Sequence, residues 1–231
     1  MKTAASIVAL ACAFASSAYA EPGGTSGASG VAITQGALKL EARTAVFEGG
    51  AIDGAWSHRA LASYGVTDWW RTQVNFRGVQ PDGESAELRS IGWENAVDFT
   101  FTRQWPVRLG GQFEYRWGVN GASDSVELKL LAERRAENFN ARFNLVAGRN
   151  VGGGASHEWD YSYAARALWT MNRRFQFGVE GFGELDGAAH AWGPRAGVTF
   201  GRATLSAGYL ASFGADAEAD GQVRLSLELS P

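Results

Sequence analysis

An all-β fold, a transmembrane antiparallel up-and-down β-barrel of about twelve strands, is predicted by three features of the sequence. These are a period of two in hydrophobicity, connections that alternate between tight and long, and aromatic residues gathered at two levels. The period is plainest in VRLGGQFEYRW, Val107 to Trp117. Val107, Leu109, Phe113, Tyr115 and Trp117 share one parity, and Arg108, Gln112, Glu114 and Arg116 take the other. Successive side chains of a strand point to opposite faces, so this stretch has one apolar and one charged face.

Residues 1–20 stand apart from the fold. Lys2 supplies a positive start, Ala4 to Phe14 an apolar run, and SSAYA a small-residue cleavage site, which together predict a secretory signal peptide cut after Ala20. The apolar run is too short to span a bilayer as a helix. Ala9, three residues before Cys12, fits a lipoprotein signal poorly. Cys12 is the only cysteine, so the mature chain is expected to carry no disulfide and no cysteine chemistry. Residues 21–35, EPGGTSGASGVAITQ, are Gly/Ser-rich and read as a flexible lead-in, with the barrel occupying 36–231.

Twelve strands are expected in order at 36–47, 56–66, 69–79, 87–102, 107–117, 125–134, 139–150, 157–170, 174–186, 190–201, 203–213 and 222–230. Most are close to the roughly nine to eleven residues that a tilted strand needs to cross a bilayer. Leu38, Leu40 and Val46 mark the apolar face of the first, Trp70, Val74 and Phe76 that of the third, and Val97, Phe99 and Phe101 that of the fourth. The same face continues through Phe139, Phe143 and Leu145, then Phe175, Phe177 and Val179, and finally Val223, Leu225 and Leu227. Every second connection is tight: Thr67-Asp68, RQWP, RRAEN, MNRR and GR. The rest are mostly longer and Gly-rich, among them EGGAIDGA, QPDGESA, GVNGASDS, GGGAS and GADAEADG. Short turns on one side, long loops on the other and an even strand number are the layout of an outer-membrane barrel, with both ends of the barrel sequence on the periplasmic side.

Barrel width decides which face looks inward. Side chains just fill the interior at about eight strands, so twelve strands with an apolar interior would enclose a void. An apolar exterior against lipid and a polar lumen avoid that cost. The expected lumen-lining residues are Arg43, Arg71, Arg77, Glu94, Asp98, Arg108, Glu114, Arg116, Glu133, Arg142, Arg166, Glu180, Glu184, Arg195, Arg224 and Glu228, with Lys39 beside them. Trp56, Tyr115, Trp117, Trp159, Tyr161, Trp192, Tyr209 and Phe213 fall near the outer rim. Tyr64, Trp70, Phe101, Trp169, Phe175 and Phe200 fall near the inner one, making the two aromatic belts of a membrane barrel.

Ser63–Phe76, SYGVTDWWRTQVNF, resembles a hairpin common in the phenol meta-pathway (MetA-type) family of outer-membrane barrels, through Tyr64, Gly65, Val66, Thr67 and Asp68. GVEGFGE, Gly178 to Glu184, is similar to strands of relatives of that group. The resemblance implies an outer-membrane protein that handles small organic compounds, and it carries over no catalytic residue. The sequence departs from that pattern at its end, RLSLELSP, where such barrels finish on an aromatic residue.

The formal charge of −3 becomes −4 without Lys2, which gives no basic footprint for nucleic acid. Only Lys2, Lys39 and Lys129 of the 21 basic residues are lysines, and arginine dominance suits forked pairing with carboxylates. An ion-pair network that stiffens the wall and a polar path for small solutes are compatible readings of such a lumen. The long loops carry Glu48, Asp53, Asp82, Glu84, Asp124, Asp216, Glu218 and Asp220, whereas the tight turns carry Arg103, Arg134, Arg135, Arg173, Arg174 and Arg202. An acidic outer mouth would attract cations.

His157, His190 and Asp186 are rim candidates for a transition metal, but no close His-x-x-x-His spacing supports one, and no metal or other cofactor is expected. Adjacent Ser57 and His58 point to opposite faces and no Gly-x-Ser-x-Gly elbow occurs, so an enzyme is not expected. The sequence therefore reads as a monomeric Gram-negative outer-membrane barrel, contacting lipid and allowing passive or weakly selective passage of small molecules. The alternative is a closed structural barrel whose outer loops bind a partner.

Overall fold

The structure, a computed structural model, describes residues 25–152, 158–172, 174–185 and 189–230. Its strands are β1 Leu38–Glu48, β2 Trp56–Gly65, β3 Trp70–Gln80, β4 Glu87–Asp98, β5 Arg108–Gly118, β6 Asp124–Ala136, β7 Phe139–Val151, β8 Asp160–Asn172, β9 Phe175–Glu184, β10 His190–Phe200, β11 Ala203–Phe213 and β12 Gly221–Leu229. Each pairs antiparallel with its sequence neighbours, and β1 pairs with β12 to close the barrel. Closure removes every free edge, so strand donors and acceptors pair within the wall.

The predicted elements match these strands within a few residues, apart from the end of the fourth and the start of the eighth. β4 stops at Asp98 because that carboxylate turns the chain, accepting the Thr100 N–H at 2.8 Å and the Thr100 hydroxyl at 2.9 Å. The Thr100 hydroxyl in turn accepts the Leu109 N–H at 3.1 Å. The connection therefore runs over residues 99–107 and is not the tight RQWP turn that the alternation predicted. Elsewhere the short-turn side holds: the Thr67 hydroxyl accepts the N–H groups of Trp69 and Trp70, pinning the turn between β2 and β3.

The two faces of β5 settle the polarity. Leu109, Phe113 and Trp117 are 41%, 39% and 46% exposed, while Gln112, Glu114 and Arg116 are 4%, 0% and 5% exposed. The rest of the barrel follows the same rule, with Phe76, Trp93, Leu130, Phe143, Phe177, Leu205 and Leu225 on its outside. Such an apolar exterior matches hydrocarbon and would be unfavourable against water. No helix among the described residues is long and apolar enough to cross a membrane.

The lead-in is where sequence and structure part. Residues 25–33, part of the segment 21–35 expected to be a flexible lead-in, lie within the barrel, with Thr25, Ser26, Ala28, Val31 and Ile33 buried. This strap has no regular secondary structure, so its enclosed backbone needs partners from the wall. Glu133 Oε2 accepts the N–H groups of Val31 and Ala32 at 2.8 and 2.9 Å. Arg43 Nη1 donates to the Thr25 carbonyl at 3.1 Å, and Arg224 Nη2 donates to that of Ser26. Ala28 packs among Ala164, Phe182, Ala191 and Leu210. The small residues that suggested flexibility are those that let the chain pass between charged walls. A Cβ at Gly27 would fall 2.6 Å from Arg43 Nη1, and one at Gly30 would fall 2.7 Å from Arg142 Cζ.

Candidate functional site

The lumen wall is built by period-two alternation alone, and two sectors of it differ in charge. From β2 to β6 the charges interlock. Arg59 pairs with Glu94 at 2.5 Å, and Gln112 donates to the other Glu94 oxygen at 2.5 Å. Asn75 bridges Glu94 and Glu114 at 2.7 and 3.1 Å. Arg77 Nη2 meets the two Glu114 oxygens at 2.8 and 3.1 Å, and Arg116 lies 3.2 Å from the same carboxylate. Arg116 also holds Glu127 at 2.6 Å, which Lys129 reaches at 2.5 Å. Enclosed charges are tolerable only when paired in this way.

The other sector, around β6 to β12, has more arginines than free carboxylates. Glu133 is shared by Arg135 and Arg142 at 2.8 and 3.0 Å, and Glu180 by Arg195 and Arg224 at 3.0 and 3.4 Å. Lys39 bridges Glu41 and Glu228 at 3.0 and 2.7 Å, and Arg43 pairs with Glu41. Toward the short-turn end, this sector lines a cavity of about 270 Å³ that is partly open to solvent and reaches the β6–β7 turn. Against Ser26 and Gly27 lies a smaller gap of about 20 Å³, roughly the space of one water.

Of the expected lumen residues, Arg77, Glu94, Asp98, Glu114, Arg116, Glu133, Glu180 and Arg224 are buried. Arg43, Arg142, Arg166, Arg195, Glu184 and Glu228 are half-buried on the same face, and Arg108 pairs with Asp98. Arg71 is also half-buried, and among the described residues no carboxylate lies within ion-pair distance of it. Sequence reasoning omitted Glu41, Arg59, Glu127 and Lys129, although their parity with Arg43, Ser63 and Glu133 would have found them. It also missed Asn75 and Asn144, because amides carry no charge to mark the face, whereas Gln112 falls on the polar parity of its strand.

His190 belongs to the outer aromatic belt. It lies 3.1 Å from the Tyr163 hydroxyl, which also accepts from Trp192 Nε1 at 2.9 Å, and its ring packs on Phe213. His157 and Asp186 lie outside the described residues. Among the described residues no three His, Cys, Asp or Glu side chains converge as a metal site would require.

At the long-loop end, the 48–55 and 214–220 loops fold onto each other. Ile52, Ala55 and Ala219 form a small core against Phe47, and the N–H groups of Ala51 and Ile52 donate to the Glu218 carbonyl at 2.7 and 3.3 Å. Partial burial in this contact pushes the Glu218 carboxyl up from its ordinary range. A raised folded-state value means that the loop contact opposes ionisation. The packing is therefore disfavoured above that value and strengthened as pH falls through the carboxylate range. Protection factors of the Ala51 and Ile52 amides, which allow for the intrinsic slowing of exchange in acid, are expected to rise between neutral and mildly acidic pH, and Glu218→Gln is expected to remove that rise.

No family model matches the chain, and no curated protein matches it. Solved structures do. The chain is similar to the KdgM porin at 9% identity and TM-score 0.59, over 84% of this chain and 99% of that one. It is similar to the NanC porin at 10% identity and TM-score 0.60, over 83% and 98% of the two chains. It is also similar to the COG4313 outer membrane channel from Pseudomonas putida F1, at 10% identity and TM-score 0.59 over 87% and 97%. At such identities the likeness is one of fold, and the fold is a closed antiparallel barrel of twelve strands of the kind found in outer-membrane channels.

Proposed function

We propose that this protein is a monomeric outer-membrane barrel that passes small molecules passively or with weak selectivity, and that it is not an enzyme. The observation that carries the reading is the water-compatible, charge-lined lumen, with a cavity of about 270 Å³ at its short-turn end inside a lipid-matched exterior. The Tyr64–Asp68 turn supports kinship with the phenol meta-pathway family, and hence small organic solutes. The short turns face the periplasm in this reading, as does the start of β1. Conductance of the purified protein in a planar bilayer tests it.

The strap favours a second reading, a closed structural barrel, because it lies inside the lumen and is bonded to Glu133 on β6 and to Arg43 on β1. Absence of conductance under every condition would leave that reading as the better one. Under the transport reading the acidic loops give cation preference, since Asp216, Glu218 and Asp220 act within about one Debye length, roughly 8 Å at physiological salt. Neutralising all three is expected to lower cation preference in reversal-potential recordings without unfolding the barrel, and preference for anions in the parent protein would overturn the argument.

A further inference from the structure

The short-turn cavity has a chemistry of its own. Arg142, Arg166 and Arg195 line it. Arg142 is the direct cross-strand neighbour of Arg166 on β7, and Glu180 is its neighbour on β9. Glu180 is nevertheless taken by Arg195 and Arg224, as Glu133 is by Arg135 and Arg142. Among the described residues Arg166 has no carboxylate within ion-pair distance, and the Nε groups of Arg166 and Arg195 are shielded from solvent without an acceptor. The carboxylates facing the same space are few: Glu228 is held by Lys39 at 2.7 Å, and Glu137 sits on the exposed turn. A half-buried cation without a counter-charge carries a desolvation cost, so this wall favours an anion.

We propose that this cavity binds a small organic anion that carries both a carboxylate and hydroxyl groups. The guanidinium of Arg166 matches a carboxylate with two parallel donors, a geometry that ammonium groups lack. Thr170, Gln176, Thr204, Ser206 and Ser226 surround it with hydroxyl and amide groups, which suit a polyhydroxylated body better than a purely apolar one. Ser226 already accepts from Arg195 Nη2 at 2.8 Å, so its own hydroxyl hydrogen remains available to donate. The volume fits a ligand of a few carbons and excludes a polymer chain from lying wholly within it. The acidic outer mouth and this basic cavity sit at opposite ends of the lumen, so an anion would be drawn to the short-turn end. Binding here does not require that the barrel conduct.

Calorimetric titration of the full-length folded barrel in detergent at low ionic strength tests the site, with gluconate as probe and glucose as its neutral counterpart. Gluconate is expected to bind and glucose not, with affinity falling as salt rises. Arg166→Gln is expected to weaken gluconate by about ten-fold or more, the scale of one charge-assisted contact. Arg89→Gln, at the long-loop end beside Glu87, is expected to leave binding unchanged. Equal affinity of gluconate and glucose, or equal gluconate binding by the parent and Arg166→Gln, would overturn the proposal. Inorganic phosphate that binds as tightly as gluconate would overturn the carboxylate assignment. If Arg166→Gln does not fold, Arg166→Lys keeps the charge but loses the fork and is expected to bind gluconate more weakly. The comparison of gluconate with glucose on the parent protein stands without either variant.

Discussion

Glu114→Leu is expected to destabilise the barrel by about 3–5 kcal/mol, the cost of breaking one side of an enclosed ion pair. Glu114 is 0% exposed and is shared by Arg77, Arg116 and Asn75. Leucine removes the carboxylate that those three donors converge upon and offers nothing in return. Phe113→Arg, one residue away on the opposite face, should cost about 2–4 kcal/mol near the bilayer midplane. The two penalties have different origins, which makes the pair informative. That of Phe113→Arg depends on the hydrocarbon around the barrel, so it should shrink in a detergent micelle that lets water reach the guanidinium. That of Glu114→Leu arises inside and should persist in both media. Urea midpoints read from the gel mobility of unboiled samples, in vesicles and in detergent, measure both. If Phe113→Arg matched the parent in vesicles while Phe113→Leu did not, the assignment of faces would be inverted.

The strand plan was legible in the sequence because each strand carries its own period of two. Lipid on one side and water or ion pairs on the other force that period at nearly every position. Residues such as Glu94, Glu114 and Arg116 could be assigned to the lumen from parity alone. Their pairing could not, because partners are fixed by shear: Arg77 reaches Glu114 across β4, two strands away and 37 positions along the chain. The end of β4 was missed for a local reason. Phe99 and Phe101 continue the alternation, yet Asp98 and Thr100 bond to the turn and stop the strand. The strap was missed for the opposite reason, since nothing local marks it. Gly, Ser and Ala are also the composition of a flexible tail. What holds the strap are Glu133, 102 positions away, and Arg224, 198 positions away. The same gap hid the short-turn cavity. Arg142, Arg166 and Arg195 look like three ordinary lumen arginines until the structure shows which carboxylates are already engaged.

Removal of residues 25–33 behind an intact signal and cleavage site is expected to raise single-channel conductance severalfold, or to open a conductance where the parent has none. The wall of a twelve-stranded barrel encloses more space than its side chains fill. Here the strap occupies part of that space, and a gap of about 20 Å³ lies between Ser26, Gly27 and the β6–β9 wall. Glu133→Gln should act in the same direction but less completely. Glu133 Oε2 is the acceptor for Val31 and Ala32, and Oε1 meets Arg135 and Arg142, so one carboxylate ties the strap to the wall. An amide keeps an acceptor oxygen but loses the charge that strengthens those bonds. The strap should then detach part of the time, which recordings would show as flicker between the parent level and that of the strapless barrel. Gly30→Val should not mimic this release, because a side chain there collides with the Arg142 guanidinium and disturbs the wall itself. If the strapless barrel folds, as its unboiled gel mobility would report, and conducts no better than the parent, the strap is not the constriction. If neither conducts, the ion-pair network closes the lumen by itself, and the structural reading is preferred to passage.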